Sequence, residues 1–450
     1  MSNPGCAEKG NRLRECVKDT VGYRRIVSLF DSGSFREIDS LAESCNGPAE
    51  AVAGCGIVEG RSACAFSQNG SIAGGAMSKA QASKIRKTYR LALKTGCPLV
   101  GIYDSAGARL DERADMLAAC GEILQDAGSL SGVVPQISLI LGPCTGTQAV
   151  IAAGADVVVM SKKGELTVST GGADGSPVEA ERQGVCHIAA KSEEEAIGAV
   201  RRLLSMLPSN NLAAAPLFEV DPPAGKGKEG AGLRGAAVSV CDGGDFLELG
   251  AGFGPAAFTG LARIGGTVAG VAGLSGVLDA DACSKAARFV RFCDSFSVPV
   301  VTFVDAEEFS SLRGASRLSC AYSEATTAKI AVVTGSACGP VYIAAVGRGA
   351  NADFAFAWPD AVVSALRPET AAVFLWSDRL KNSAHPVEDR AKLIEEYRRT
   401  RADAYSAAAD GMIEDVVEPE ETRDRLISCL DMLSGKRVST LPKKHADIQL

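Results

Sequence analysis

The chain has 450 residues, a formal net charge of −7 and 46% hydrophobic residues. This composition excludes an intrinsically disordered chain, and the negative charge does not support nucleic-acid binding. The longest apolar runs, such as 133–141, are too short to span a bilayer, and residues 1–5 lack the features of a signal peptide. We therefore expect a globular protein of the cytoplasm, and the length favours two domains.

Fifteen cysteines are scattered along the chain without a C-x-x-C pair. Structural zinc sites usually need such paired ligands, so the spacing argues against a bound metal. Most of these cysteines have apolar or small neighbours, which is typical of buried thiols in a reducing compartment. We predict that they fill the core rather than form disulfides or hold a metal.

The first half of the chain alternates between helix and strand. Apolar residues recur at helical spacing over 78–95, and an apolar strand follows that ends at Asp104. Further strands are predicted over 135–142 and from Asp156, and a helix over 193–207. Near-continuous apolar strands separated by helices are typical of buried, largely parallel sheets.

The second half repeats this order. A helix is predicted over 281–296, and the strand that follows ends at Asp305. Pro299 and Asp305 lie 201 positions after Pro98 and Asp104, respectively. The other predicted elements of this half are strands over 328–335 and from Asp353 and a helix over 423–433. A repeat of this length indicates two duplicated domains.

A segment rich in Pro, Gly and Lys, 222–235, separates the two halves. This composition is typical of a linker. We predict an N-terminal domain over 1–210, a linker over 211–235 and a C-terminal domain over 236–450.

The three histidines, His187, His385 and His445, do not lie beside a nucleophile motif. Neither G-x-S-x-G nor H-E-x-x-H occurs in the chain. We interpret the histidines as surface or structural residues. The chemistry therefore does not depend on an obvious side-chain base.

Two glycine-containing turns follow predicted strands, at 104–109 and 142–147. Both are expected to lead into helices, whose first amides have no partner within the helix and can bind a developing oxyanion. Glycines also serve simply to permit tight turns. Because similar turns occur in both halves, we favour a functional interpretation.

The predicted helix that begins near Ser78 is strongly basic. Its cations are Lys79, Lys84, Arg86, Lys87, Arg90 and Lys94. Such a run forms a solvated helix face or receives the phosphates of a nucleotide-like ligand. The sequence leaves both interpretations open.

Ordered motifs over nearly the whole chain resemble those of one family. They lie at 29–39, 98–112, 131–146, 242–249, 284–305, 350–361, 393–398 and 411–426. The chain resembles the carboxyltransferase subunits of biotin-dependent acyl-CoA carboxylases and decarboxylases, the family of propionyl-CoA carboxylase beta and methylmalonyl-CoA decarboxylase alpha.

The resemblance implies an α/β fold with two tandem crotonase-like (ClpP/crotonase) β-β-α superhelix domains related by internal duplication. It also implies a hexamer of face-to-face dimers, with acyl-CoA bound mainly by the first half and biotin entering at the second half. In the family, the carboxyl group moves between biotin and the α-carbon of a short acyl-CoA. The biotin nitrogen takes the α-proton, and two oxyanion holes stabilise the enolates.

The resemblance also implies partners for the chain. No Ala-Met-Lys-Met motif occurs, so biotin is expected on a separate biotin carboxyl carrier protein. A biotin carboxylase or a membrane decarboxylase subunit would complete the system. The expected assembly is a homo-hexamer, a trimer of dimers, or a hetero-oligomer with a homologous subunit.

Site residues are assigned through the same resemblance. The first oxyanion hole falls on Gly146 and Thr147, where the family usually has two glycines. The second falls on Gly339 and Val341, and between them Pro340 has no N–H to donate. The residues expected to bind the acyl-CoA are Ala106, Gly107, Ala108, Arg109, Lys79 and Lys84, with Ile343 as a specificity position.

Two further hypotheses remain open beside an active carboxyltransferase. Pro340, and a loop after Asp305 that is shorter than in the family, favour a non-catalytic or half-catalytic subunit that pairs with a homologous partner. A biotin-independent crotonase-type hydratase or decarboxylase would need positioned carboxylates. Glu112, Glu307 and Glu308 are the acidic candidates for that chemistry.

Overall fold

A computed structural model describes residues 4–44, 47–112, 114–169, 174–223 and 232–442. The chain divides into two compact units, Met1–Pro216 and Leu217–Leu450. Each unit contains one eight-stranded sheet with helices packed against it. The duplication that the sequence repeat predicts is therefore present in the architecture.

The first unit carries its strands in the spatial order β1-β4-β5-β6-β7-β8-β10, with β9 beside β7. The strands are β1 (Arg36–Glu37), β2 (Glu43–Ser44), β3 (Gly47–Pro48), β4 (Ala51–Val58), β5 (Arg61–Gln68), β6 (Leu99–Ser105), β7 (Gln136–Thr145), β8 (Val157–Ser161), β9 (Glu165–Thr167) and β10 (Ile188–Ala190). The helices are α1 (Pro4–Lys18), α2 (Val21–Leu29), α3 (Lys79–Thr95), α4 (Ala114–Leu130), α5 (Thr147–Ala153), α6 (Pro177–Arg182) and α7 (Glu193–Met206).

The second unit has the order β11-β12-β13-β14-β15-β16-β18, with β17 beside β15. The strands are β11 (Phe246–Glu248), β12 (Ala257–Ile264), β13 (Thr267–Leu278), β14 (Val300–Phe309), β15 (Lys329–Cys338), β16 (Phe354–Ala357), β17 (Val362–Ser364) and β18 (Asp415–Val416). The helices are α8 (Gly232–Ser239), α9 (Ala280–Ser295), α10 (Leu312–Glu324), α11 (Pro340–Ala345), α12 (Pro368–Leu375), α13 (Ser377–Lys381), α14 (Pro386–Arg401), α15 (Ala404–Ala409) and α16 (Thr422–Leu433).

Strand directions match between the two sheets. In each, the first two pairings are antiparallel and the following pairings along the path are parallel. The parallel strands are buried on both faces, as in β8, where every residue is buried. This burial explains why their sequences are continuous apolar runs rather than alternating ones.

The helices predicted before β6 and β14 are confirmed almost to the residue. In α3 the Ser78 side chain accepts a hydrogen bond from the Gln81 amide, and Gly96 ends the helix with a φ of 63°. In α9 the Asp279 carboxylate accepts from the Ala282 amide. These local caps close both ends of α3 and the start of α9 without help from distant residues.

Each unit packs an aspartate against a glycine of the neighbouring strand. A Cβ atom added at Gly142 would overlap the carboxylate of Asp104, and one added at Gly335 would overlap that of Asp305. Asp104 is the next-to-last residue of β6, as predicted. The predicted strand end at Asp305 is wrong, because β14 stays paired with β13 as far as Phe309. The glycines are therefore required by close approach of a side chain.

The predicted linker differs in part from the structure. Residues 224–231 lie outside the described residues, but Phe218 already donates from its amide to the Gly266 carbonyl at 2.9 Å. The helix α8 begins at Gly232, inside the predicted 211–235 linker. The linker was predicted because Pro and Gly are frequent in this segment. Composition carries no information on hydrogen bonds between distant backbone groups, such as that of Phe218 with Gly266.

The described cysteines are free thiols and most of them are buried, as predicted. Cys55 and Cys64 lie opposite each other on β4 and β5, with their sulfur atoms 2.7 Å apart. Within the described ranges, no helix is long and apolar enough to cross a membrane.

Candidate active site at the glycine turns

Two turns of the first unit lie side by side because they end neighbouring parallel strands. We call Ser105–Arg109 the β6 turn and Cys144–Thr147 the β7 turn. The strands pair as far as Ser105, which lies opposite Cys144. A Cβ atom added at Gly107 would lie 3.9 Å from the Thr145 carbonyl oxygen, so the turns are in close contact. The carboxyl ends of parallel strands are where α/β sheets usually bind ligands.

The β7 turn exposes the start of helix α5. Gly146 has a φ of 71° and a ψ of −135°, and its amide donates to the Thr167 carbonyl at 2.8 Å. That amide is therefore used by the side strand β9. Thr147 follows as the first residue of α5, is exposed, and has no acceptor for its amide within the helix. Of the two predicted residues, Thr147 presents the amide that a ligand oxygen can reach.

The β6 turn is held by backbone hydrogen bonds. The Ala106 amide donates to Gly74 at 3.0 Å, and the Arg109 amide donates to Met77 at 3.0 Å. Gly107 has a φ of 115°, a backbone conformation that residues other than glycine rarely adopt. Ala106 and Ala108 are exposed, whereas Gly107 and Arg109 are buried. The turn therefore offers a small, exposed backbone edge beside Thr147. It continues into a short 3₁₀ segment, and α4 begins only at Ala114, later than predicted.

A buried glutamine joins the two turns. Gln148, the second residue of α5, donates from Nε2 to the Ser105 hydroxyl and to the Gly107 carbonyl, both at 3.0 Å. None of the sequence motifs points to this residue. Its signal is faint, since it is the one amide side chain in the run of small and apolar residues that forms α5.

The cations predicted to bind the acyl-CoA have partners within the unit. Arg109 is 8% exposed and its guanidinium bonds to Glu50, which is fully buried, and to Asp111. Its proximity holds the pKa of the Asp111 carboxyl below its usual range. Lys84 is 3% exposed and pairs with Glu37 at 2.8 Å. These two residues support the fold around the turns, and their charges are already neutralised.

Four other cations of α3, namely Lys79, Arg86, Lys87 and Arg90, form a surface network with acidic side chains. Lys79 pairs with Asp115 at 3.3 Å, while its backbone amide donates to the Glu112 carboxylate at 2.6 Å. Glu112 thus caps the start of α3. The other ion pairs of this face join Arg86 to Glu122 and Asp126, Lys87 to Asp39, and Arg90 to Asp126. Exposed pairs of this kind are weak, so Lys79 and Lys87 can exchange partners with a phosphate.

The second unit has an equivalent glycine turn with different chemistry. We call Cys338–Val341 the β15 turn. Gly339 has a φ of 49° and a ψ of −117°, and its amide donates to the Ser364 carbonyl at 2.8 Å, as Gly146 does to Thr167. The first residue of α11 is Pro340, which has no N–H. Val341 is fully buried, and Ile343 on the same helix is 58% exposed.

An ion-pair cluster stands close to the β15 turn. Strand β14 continues to Phe309, so no counterpart of the β6 turn forms. Arg367 contacts Glu307 at 3.1 Å and Glu308 at 3.0 Å. Burial raises the pKa of the Cys338 thiol, and the negative charge of Glu307 adds to this rise, so the cluster acts on the turn itself. This part of the second unit carries more negative than positive charge.

His187 and His385 lie apart from these turns, as expected for surface or structural residues. The Nδ1 atom of His187 accepts from the Val158 amide at 3.0 Å and links β8 to the start of β10. His385 precedes α14 on the surface, and His445 lies outside the described residues. In the part of the chain that the structure describes, no three His, Cys, Asp or Glu side chains are grouped as metal ligands.

Comparison with known proteins identifies the family. The carboxyl transferase domain matches residues 18–448. The propionyl-CoA carboxylase beta chain of Saccharopolyspora erythraea is 37% identical over 95% of this chain and 90% of its own length. The methylmalonyl-CoA decarboxylase subunit alpha of Veillonella parvula is 34% identical over 99% of this chain and 96% of its own.

A solved structure agrees over the whole length. Transcarboxylase 12S, a hexamer crystallised with methylmalonyl-CoA and methylmalonic acid, superposes with a TM-score of 0.91. It is 31% identical and covers 99% of this chain and 98% of its own. The chain belongs to the carboxyl transferase domain family, and it is an enzyme of the carboxyltransferase class. The family resemblance and the duplicated crotonase-like α/β fold predicted from the sequence are confirmed.

Proposed function

We propose that the protein moves a carboxyl group between biotin on a separate carrier protein and a short acyl-CoA. The substrate is acetyl- or propionyl-CoA in the carboxylating direction, or malonyl- or methylmalonyl-CoA in the decarboxylating direction. Family membership supports the reaction class. The observation that carries the proposal is that the exposed residue Thr147 begins α5, where its amide has no acceptor within the helix, beside the exposed edge of the β6 turn.

The first unit is the proposed acyl-CoA side. When the α-carbon gains or loses a carboxyl group, negative charge develops on the thioester oxygen. A fixed amide pointing at that oxygen stabilises the charge, and one such donor contributes about 3 kcal/mol to lowering the barrier. Thr147 supplies this amide, and the small residues Ala106 and Ala108 leave room for a thioester. No side-chain base is needed, because the biotin nitrogen takes the proton.

The second unit is the proposed biotin side, and it fits this role less fully. The equivalent donor is missing at Pro340, which leaves the following amide, that of Val341, as the available one. Glu307 and Glu308 add negative charge close to the β15 turn. A biotin carbonyl that becomes anionic would therefore be stabilised less here than a thioester oxygen at Thr147.

This asymmetry favours a second candidate function. The chain would then be a half-catalytic subunit, complete for acyl-CoA and dependent on a homologous subunit for the biotin side. In either case the proposed partners are a biotin carboxyl carrier protein and a biotin carboxylase or a membrane decarboxylase subunit. The proposed assembly is a hexamer, of this chain alone or with the homologous subunit.

The first experiment is decarboxylation of malonyl-, methylmalonyl- and glutaconyl-CoA by the purified protein, with and without free biotin. Turnover that depends on biotin is the expected result, and the preferred thioester names the substrate class. Turnover only after a homologous subunit is added would support the half-catalytic function instead. Hydration of crotonyl-CoA without biotin would contradict both carboxyltransferase functions and would support the biotin-independent hydratase or decarboxylase instead.

A further inference from the structure

Gln148 is a polar side chain held inside the first unit. It is 1% exposed, and both hydrogens of its amide nitrogen are used, one by the Ser105 hydroxyl and one by the Gly107 carbonyl. The residue belongs to α5, immediately after Thr147, while both acceptors belong to the β6 turn. One amide group therefore spans the contact between the two turns of the candidate site.

Two further buried glutamines fix the orientation of this amide. Gln68 donates from Nε2 to the Oε1 atom of Gln148 and, at 3.2 Å, to that of Gln81. The Oε1 atom of Gln68 accepts from the Asp104 amide at 3.3 Å. The Nε2 atom of Gln81 donates to the backbone carbonyls of Glu50 and Gly75. Because every amide hydrogen in this network has an acceptor, reversing one amide would leave buried groups unpaired.

The second unit has no such link. Val341 takes the place of Gln148 after the glycine turn and is fully buried. There, β14 continues as a paired strand to Phe309, so no turn needs to be held. The glutamine is thus present where a turn stands beside the exposed helix start, and absent where it does not.

We propose that Gln148 is a positioning residue for carboxyl transfer. It sets the separation between the Thr147 amide and the exposed edge of the β6 turn, the two sides between which the thioester of the acyl-CoA is held. Gln148 itself is buried and does not touch the substrate. This inference rests on the proposed function of the first unit, and it adds a residue through which that function is tuned.

The test compares two buried glutamines at opposite ends of β7: Gln148 on the helix α5 that follows the strand, and Gln136 at the first residue of the strand. Gln148→Met keeps the length of the side chain and removes its hydrogen bonds. Gln136→Met is the matched control, because Gln136 is 5% exposed, bonds to the Ala127 carbonyl, and starts β7 at the end away from the turn. Biotin-dependent decarboxylation and binding of free CoA are measured for both.

We expect kcat of Gln148→Met to fall about tenfold to a hundredfold, since small misplacement of reacting groups has effects of this size. Affinity for free CoA, which lacks the thioester, should stay the same. Ser105→Ala removes one acceptor with almost no change of shape and should give a smaller loss. Equal losses in Gln148→Met and Gln136→Met, or an unchanged kcat, would overturn the proposal.

Hydrogen exchange separates this inference from the proposed function. The amides of the β6 turn should exchange faster in Gln148→Met than in Gln136→Met, while both variants keep a similar Tm. Unchanged exchange in the turn would overturn the positioning role even in an active enzyme. A wild-type protein without biotin-dependent turnover would instead reject the proposed function, and the exchange measurement would still decide whether Gln148 holds the turn.

Discussion

The two units share one fold and differ at the ends of their strands. Both place a glycine with positive φ before a short helix, and both bond its amide to a side strand. The next residue is Thr147 in one and Pro340 in the other, so only the first unit has a donor there. The sheet determines where the helix begins in each unit. The identity of the first helical residue determines whether an amide donor is available there.

Exchanging these two residue types gives the largest expected effect. Thr147→Pro removes the amide donor from the first unit, and we expect decarboxylation to fall about a hundredfold. The fold should tolerate the change, because Gly339 precedes Pro340 with nearly the same backbone angles. Steady-state kinetics measure the loss. Thr147→Gly, which keeps the amide, is the control and should stay near wild type; equal loss in both variants would contradict the proposal.

The equivalent aspartates of β6 and β14, Asp104 and Asp305, also differ in their salt bridges. Arg25 is 7% exposed and bonds to Asp104 and Glu193, whereas Asp305 in the second unit is exposed. Arg25→Met would leave two carboxylates without their cation, and we expect destabilisation of about 2 kcal/mol. Calorimetry should show a lower Tm. Asp305→Asn is the matched change and should have little effect; a similar drop in both would show that the burial of Arg25 is unimportant.

The reverse exchange tests the second unit. Pro340→Gly restores an N–H at the start of α11, and we expect biotin-dependent turnover to rise about tenfold. The rise is smaller than the loss at Thr147 because Glu307 and Glu308 remain close to the turn. The assay is the same decarboxylation with saturating acyl-CoA and limiting biotin. An unchanged rate would mean that the β15 turn does not act on biotin.

The smallest effect concerns two aspartates at the starts of β8 and β16. Asp156 and Asp353 accept from the amides of Gln136 and Lys329, both at 2.8 Å. Among the residues that the structure describes, Asp353 also has a cation, Lys436, at 2.8 Å, and Asp156 has none. Burial raises the pKa of Asp156 from 3.8 to about 6. Because the folded-state pKa is the higher one, stability present below pH 4 is lost as the pH rises through 6.

Asp156→Asn should therefore stabilise the protein by about 1 kcal/mol at pH 7 and have no such effect at pH 4. Asp353→Asn should destabilise it at pH 7, because Lys436 loses its partner. Unfolding followed at both pH values measures the two changes. Stabilisation of the same size at both pH values would show that titration of Asp156 is not the cause.

Features set by neighbouring residues were predictable from the sequence. The bounds of α3 and α9 follow from apolar spacing and from Ser78 and Asp279 as caps. The glycine turns and the duplication were found in the same way. The buried pairs were not, because Lys84 and Arg109 are neutralised by Glu37 and Glu50, residues 47 and 59 positions away.

The glutamine network escaped prediction for a similar reason. Gln68 and Gln148 are 80 positions apart and are brought together only when β5, β6 and β7 form one sheet. The engagement of the Gly146 amide by Thr167 likewise depends on β9 lying beside β7. A periodic pattern shows that a residue is buried but does not show which distant group it meets.

The aspartate packed on a glycine, Asp104 on Gly142 and Asp305 on Gly335, is common to both units although their turns have diverged. The glycine cannot accept a side chain while the aspartate remains, since any side chain there would collide with the carboxylate. The pair is therefore a packing constraint that both units keep, whatever their turns bind.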